Sequence, residues 1–164
     1  MPMKMNYDCI LTVPVCDGDD GYSFESRQFM TLDVSFKSQT NLTPYKPNNW
    51  SDKIVVSNRT GTTTDVATLY TTDTLYLDWA IINNGSKKIS KTFHNRLYVD
   101  EVLKREGYTD TVDVNKYVSV KDFNIGKLSA GHHKIKLVVD ALHEIGETNG
   151  DDNEYTKNIT VIQR

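Results

Sequence analysis

Oxygen-bearing side chains crowd one stretch near the C-terminus of the chain. Residues 140–154 contain six carboxylates and two asparagines, with no Lys or Arg among them. Calcium and other hard cations bind about six to eight carboxylate, amide and carbonyl oxygens. The stretch therefore offers a candidate calcium site with six possible ligands: Asp140, Glu147, Asn149, Asp151, Asp152 and Asn153.

An alternative interpretation of the same stretch needs no metal. The spacing of its carboxylates is not that of an EF-hand loop. Asp and Asn side chains commonly bond backbone N–H groups in turns. Under this alternative, Asp140 and Asn153 hold the turn together and the other charges face water. No further cofactor is expected, and both interpretations stay open at the level of sequence.

Motifs for enzymatic chemistry do not occur in the sequence. His143 to Glu147 begins like the helix motif of a zinc protease, but Glu stands where the second His is required. The nucleophile elbow G-x-S-x-G and the Gly-rich phosphate loop are also missing from the sequence. We therefore predict that the protein is not an enzyme.

Aromatic residues suggest a second kind of site. Trp50 lies near Tyr45 in a segment rich in Pro and Asn, where the two rings could form an exposed surface that stacks on sugars. Burial against neighbouring residues is the alternative. A carbohydrate-binding module is thus a competing function, with Tyr22, Tyr108 and Tyr117 as further candidates. Trp79 alternates with Leu75, Leu77 and Ile81, so we expect it in the core.

Composition limits the class of protein. The chain has 164 residues, of which 38% are hydrophobic and 25% charged, and its net charge is −3. These values fit a globular protein with one core. The sequence has no basic block for nucleic acid and no apolar run of about 18 residues for membrane insertion. It also has no recognisable export signal.

Alternation of apolar and polar residues indicates strands, and no stretch sustains a helical period. Met30, Leu32, Val34 and Phe36 alternate with polar residues, as in a sheet with one buried face. The predicted fold class is all-β. The predicted strands are residues 10–15, 29–38, 53–57, 74–82, 95–99, 118–123, 134–139 and 155–162.

Residues 41–49 contain two prolines and several turn-forming residues, so they predict a linker or a crossing between sheets. We place a domain boundary there. Residues 52–162 then form one β-sandwich domain of about the usual size. Residues 1–50 form an N-terminal β segment, which either extends the sandwich or belongs to a neighbouring module.

Several motifs in residues 52–162 occur in a familiar order. They are Ile54-Val-Val-Ser57, Leu77-Asp-Trp-Ala-Ile-Ile-Asn-Asn-Gly85, Leu97-Tyr-Val-Asp100, Ile125-Gly-Lys-Leu-Ser-Ala-Gly131, Val138-Val-Asp140, Ile145-Gly-Glu-Thr-Asn149, Asp152-Asn-Glu-Tyr155 and Ile159-Thr-Val161. This order resembles the CARDB family, the cell adhesion related domains of bacteria and archaea. The chain departs from the pattern in a long polar loop between Asp100 and Val118 and in Gly150.

The resemblance implies an immunoglobulin-like antiparallel β-sandwich, here with extra N-terminal strands. It also implies a non-catalytic adhesion-related, spacer or binding module of a surface or secreted prokaryotic protein. Its partners would be protein or carbohydrate at the cell surface and neighbouring domains of a larger chain. Two alternatives remain: an accessory fragment of a secreted hydrolase, and a homo-oligomer in which residues 1–38 pair with another copy.

Overall fold

The computed structural model describes residues 40–164, which form nine β-strands. Their bounds are β1 Leu42–Tyr45, β2 Ile54–Ser57, β3 Leu69–Tyr70, β4 Leu75–Asn83, β5 Phe93–Val99, β6 Val102–Thr109, β7 Tyr117–Gly126, β8 Gly131–Val138 and β9 Glu154–Ile162. No helix in this part of the chain has the length and hydropathy that a lipid bilayer requires. The strands predicted at residues 10–15 and 29–38 lie outside the described residues.

The first sheet is built around β4. Strand β7 pairs antiparallel along one edge of β4. Strands β1 and β2 divide the other edge: β1 lies opposite the second half of β4 and β2 lies opposite the first half. Trp79 illustrates the arrangement, because it pairs with Ile54 on one side and with Val120 on the other.

The second sheet has the order β3-β9-β8-β5-β6. All neighbours are antiparallel except the short β3, which runs parallel to β9. Strands β5 and β6 are joined through Asp100 and Glu101, whose φ angles are 50° and 63°. Two successive positive φ values define the type I′ turn, whose twist matches that of a tight hairpin.

The two sheets of strands confirm the predicted all-β class. The core lies between them. Trp79 is 4% exposed and meets Phe123 edge-on, with 5.8 Å between ring centroids. The prediction that this tryptophan is in the core is therefore confirmed. Both sheets contribute fully buried side chains, among them Leu75, Leu77, Leu97, Ile135 and Leu137.

One ionic cluster joins β9 of the second sheet to β2 of the first sheet and to the residues that flank it. The Lys157 ammonium lies 2.8 Å from Asp52 Oδ2 and 2.9 Å from Asp65 Oδ1, and it donates to the Ile54 carbonyl at 2.7 Å. The Tyr155 hydroxyl donates to Asp52 Oδ1 at 2.7 Å. Burial alone would raise the pKa of Asp52, but the bonds from Lys157 and Tyr155 outweigh it and lower that pKa. Burial and the bond to Asp52 raise the pKa of Tyr155 to about 12.

Two segments differ from the sequence prediction. Leu42–Tyr45, predicted as part of a linker, is strand β1, because the Leu42 side chain is fully buried in the core. Pro44 is tolerated because β1 is an edge strand with β4 as its ladder partner. Val102–Thr109, predicted as part of a long polar loop, is strand β6, which is mostly exposed and therefore lacks apolar alternation.

Candidate functional site

The acidic corner, which we define as residues 140–154, connects β8 to β9. Its first residue, Asp140, is 1% exposed and has a φ of 47°. One carboxylate oxygen of Asp140 accepts the Glu144 N–H at 2.8 Å, and the other accepts the Ile145 N–H at 2.9 Å. Both oxygens therefore hold the turn, as in the metal-free interpretation of Asp140.

Strand β1 and the residues next to it are hydrogen-bonded directly to the acidic corner. Glu147 Oε2 accepts the Leu42 N–H at 2.6 Å. The Thr43 hydroxyl donates to the Asp152 carbonyl at 2.9 Å, and the Thr148 N–H donates to the Thr40 carbonyl at 3.1 Å. No local pattern in the sequence indicates this junction, because its two halves, at Leu42 and Glu147, lie 105 positions apart.

Four polar side chains form two hydrogen-bonded pairs at this junction. Asn153 Nδ2 donates to Glu147 Oε1 at 2.7 Å, and Asn41 Nδ2 donates to Asp152 Oδ2 at 3.1 Å. Three oxygens that remain are buried and receive no hydrogen bond from residues 40–164: Asn41 Oδ1, Asp152 Oδ1 and Asn153 Oδ1. We call Asn41, Glu147, Asp152 and Asn153 the oxygen cluster.

The surroundings of Glu147 in the oxygen cluster disfavour the charged form of its carboxyl group. Burial is the main cause of a raised pKa at Glu147, and the charges of Asp140 and Asp152 add to it. The hydrogen bonds from Leu42 and Asn153 act in the opposite direction but do not cancel the effect. Glu147 is therefore a carboxylate that would gain from a nearby positive charge.

The six predicted calcium ligands are only partly brought together. Glu147, Asp152 and Asn153 belong to the oxygen cluster, and Asn41 joins them although it was not predicted. The oxygens of Asp140 are used by the backbone. Asn149 Oδ1 accepts the Asp151 N–H at 3.2 Å, and Asp151 itself is exposed. Within residues 40–164, no group of three His, Cys, Asp or Glu is arranged to hold a metal.

Trp50 does not form the predicted exposed aromatic surface. Its side chain is 8% exposed and packs with Val55 and Ala80, while Tyr45 is partly buried against them. The apolar indole is stabilised by leaving water, which corrects the prediction of an exposed surface at Tyr45 and Trp50. Tyr45 instead stacks on Tyr117 at 5.3 Å, with the rings tilted by 39°, so this pair offers no flat platform.

A cleft of about 370 Å³ opens between the edge strands β6 and β7. Arg105 lines the cleft, and its guanidinium lies 5.2 Å from the ring centroid of Phe123 and 6.0 Å from that of Trp79. The described residues that line the cleft include no His, Cys or Asp. The cleft offers stacking and apolar contact, and its lining carries no acid–base pair of the His–Asp type.

The fold and the corner define an immunoglobulin-like β-sandwich module. The sequence profile of the CARDB family matches residues 51–157. The chain belongs to the CARDB family, as its motif order predicted.

Solved structures agree with this assignment at the level of fold. The CARDB domain of the PF1109 protein from Pyrococcus furiosus, crystallised in complex with di-metal ions, has a TM-score of 0.59 and 15% identity. The match covers 79% of this chain and 100% of that domain. A domain of a Methanosarcina acetivorans protein described as a cell surface protein has a TM-score of 0.54 and 16% identity, covering 76% of this chain and 93% of that one. No curated protein matches the chain.

Proposed function

We propose that the chain is a non-catalytic module that spaces or displays neighbouring domains of a surface or secreted prokaryotic protein. The observation that carries the proposal is the position of the two ends of the sandwich. Strand β1 begins at the acidic corner, beside Glu147. Strand β9 begins at the same corner and ends at the opposite pole, beside Gly131 and β3.

This arrangement puts the points of entry and exit one strand length apart. Strand β9 has nine residues, which span about 30 Å at roughly 3.3 Å per residue. Modules whose ends lie at opposite poles can follow one another in a line. A rigid spacer of this kind needs no active site, because its role is to fix the distance and orientation of its neighbours.

The origin of one structural relative supports a surface location. The Methanosarcina acetivorans domain comes from a protein described as a cell surface protein. For this chain we accordingly propose an extracellular or cell-surface location, with protein or carbohydrate at that surface and adjoining domains as partners. The loops at the two poles would carry the contacts, since loops tolerate change while the sheets hold their geometry.

Pulling the full chain from its two ends tests the spacer proposal. Force applied at these ends enters through β1 at one pole and leaves through β9 at the other, so the β1–β4 and β8–β9 hydrogen bonds are loaded together in shear. We expect a single unfolding event of the sandwich at high force.

The matched control uses the same protein, keeps the handle at the C-terminal end, and moves the other handle to the turn at Asp100 and Glu101. That turn lies at the pole where β9 ends, because β5 approaches Ile135 before reaching it. Force would then peel β9 away bond by bond, at a lower value. Equal forces in the two geometries would contradict a role in bearing load along the module.

A further inference from the structure

We propose a binding site for a hard divalent cation, with calcium as the first candidate, formed by the side-chain oxygens of Asn41, Glu147, Asp152 and Asn153. The site joins the first strand of the sandwich to the acidic corner. Cation binding here is independent of the spacer role, so either proposal can fail without the other.

The buried amide of Asn153 is the observation that points to a ligand. Asn153 is 4% exposed, and its Oδ1 receives no hydrogen bond from the described part of the chain. The other end of the same amide donates to Glu147 Oε1 at 2.7 Å, so the free oxygen lies next to a carboxylate. A buried acceptor without a donor is unfavourable, and a cation would satisfy it.

The same situation recurs on the β1 side of the cluster. Asn41 Nδ2 donates to Asn84 Oδ1 at 2.7 Å and to Asp152 Oδ2 at 3.1 Å. Its own Oδ1, together with Asp152 Oδ1, is buried without a donor from residues 40–164. Asn41 and Asp152 are therefore hydrogen-bonded to each other, and each still has one buried oxygen without a donor.

The chemistry of these donors selects the class of cation. All four side chains offer oxygen, which calcium and other hard cations prefer, whereas zinc prefers nitrogen and sulfur. Glu147 and Asp152 supply two negative charges, which balance one divalent ion. The cluster has two carboxylates and two amides, so it differs from a site built from three or more His, Cys, Asp or Glu side chains.

Local electrostatics favour a positive charge at the same place. Burial and the charges of Asp140 and Asp152 raise the pKa of Glu147. Residues 140–154 contain no Lys or Arg that could compensate. A divalent cation would remove the repulsion between these carboxylates, and it would hold Asn41 of the segment entering β1 against Asp152 of the corner.

Thermal unfolding of the full chain after treatment with chelator tests the site. We expect the unfolding temperature to rise with millimolar calcium, because an ion that binds the folded state stabilises it by mass action. Sodium chloride at equal ionic strength controls for screening of the surface charges and should give no comparable rise. An unfolding temperature that does not change with calcium would overturn the proposal.

Two neighbouring substitutions locate the ion. Asp152→Asn removes one charge from the oxygen cluster, whereas Asp151→Asn removes the same charge from the exposed neighbour. We expect D152N to weaken calcium binding in titration calorimetry by at least roughly 10-fold, since even the loss of a residue that only orients a metal ligand costs about 10- to 100-fold, and D151N to bind like the wild type. Equal loss in both variants would assign the effect to general charge and exclude this site.

Folding of the variant must be checked separately. Near-ultraviolet circular dichroism of chelator-treated D152N should match that of the wild type, because Asn can keep the acceptor that faces Asn41. If D152N does not fold, Asn41→Ser replaces it, since this change removes one amide oxygen from the cluster. Calcium affinity of N41S equal to that of the wild type would then contradict the proposed ligand set.

Discussion

His133 shows how one side chain can be assigned a charge from its neighbours. Its Nδ1 lies 2.6 Å from Asp100 Oδ2, and its Nε2 lies 2.8 Å from the Ser129 carbonyl. Both neighbours are acceptors, so both ring nitrogens must carry a proton for both bonds to form. Burial alone would lower the pKa of His133, but these bonds outweigh it and raise that pKa, while the bond from His133 lowers the pKa of Asp100.

The pair predicts a specific dependence of stability on pH. The pKa of His133 is higher in the folded than in the unfolded protein. Its contribution to the free energy of unfolding is therefore complete below the unfolded-state pKa of about 6.5, and it is lost as the pH rises through the higher folded-state pKa. Urea unfolding at about pH 6 and about pH 8.5 should show this loss in the wild type and a smaller loss in His133→Gln. The neighbouring exposed residue offers a control, since His132→Gln should keep the wild-type loss. Indistinguishable pH profiles for all three proteins would refute the assignment.

Lys157 is the second residue whose charge has a clear structural role. Its three ammonium hydrogens are matched by Asp52, Asp65 and the Ile54 carbonyl, and its side chain is 14% exposed. Lys157→Met would leave two partly buried carboxylates facing each other, which we expect to lower the free energy of unfolding by about 2–4 kcal/mol. Chemical denaturation measures the change.

The control for Lys157 is a lysine in an exposed ion pair. Lys88 lies 3.0 Å from Asp113, and both side chains are more than half exposed. Pairs of this kind contribute little because water and salt screen them. Lys88→Met should therefore leave the denaturation midpoint nearly unchanged, and a loss as large as that of K157M would show that charge number, rather than burial, decides the effect.

At the scale of elements, β1 decides where the sandwich begins. It completes one edge of β4 and brings Leu42 into the core. Its sequence, Leu-Thr-Pro-Tyr, is short and contains a proline, so local patterning favoured a linker. The strand forms because the free edge of β4 and the side chain of Glu147 satisfy its backbone, and neither partner is near in sequence.

A core substitution in β1 distinguishes a strand from a linker. Leu42 is fully buried, so Leu42→Ala should lower the free energy of unfolding by about 3 kcal/mol through lost burial and the cavity left behind. Lys46 follows the last residue of β1 and its side chain is exposed. Lys46→Ala should therefore have little effect on the free energy of unfolding, measured by urea titration for both variants. A silent L42A would mean that β1 does not contribute to the core.

Strand β6 was missed for a different reason. Its first five residues are exposed, including Val102 and Leu103, so the apolar alternation that marks a half-buried strand is absent. Pairing with β5 along its whole length holds it in place. The predicted strands near β2, β4, β5, β7, β8 and β9 all have one face in the core. Apolar and polar residues alternate in a sequence only when a strand is buried in this way.

At the scale of the whole sandwich, residues 40–164, two sheets enclose one core, and the start of β1 and the end of β9 lie at opposite poles. The acidic corner lies at the pole where β1 begins, β8 ends and β9 begins. A cation there would strengthen the contact between β1 and the acidic corner. The domain boundary predicted at residues 41–49 stays a prediction, although the first sheet already includes Leu42–Tyr45.

The sequence by itself determined the all-β class, the burial of Trp79 and the family, because alternation and motif order are local properties of the chain. It also located the acidic corner. Only the tertiary structure decided which oxygens meet, bringing Asn41 to Asp152 while directing Asp140 to the backbone and Trp50 into the interior. The physical reason is that strand register sets contacts between residues more than 100 positions apart, and no local pattern encodes that register.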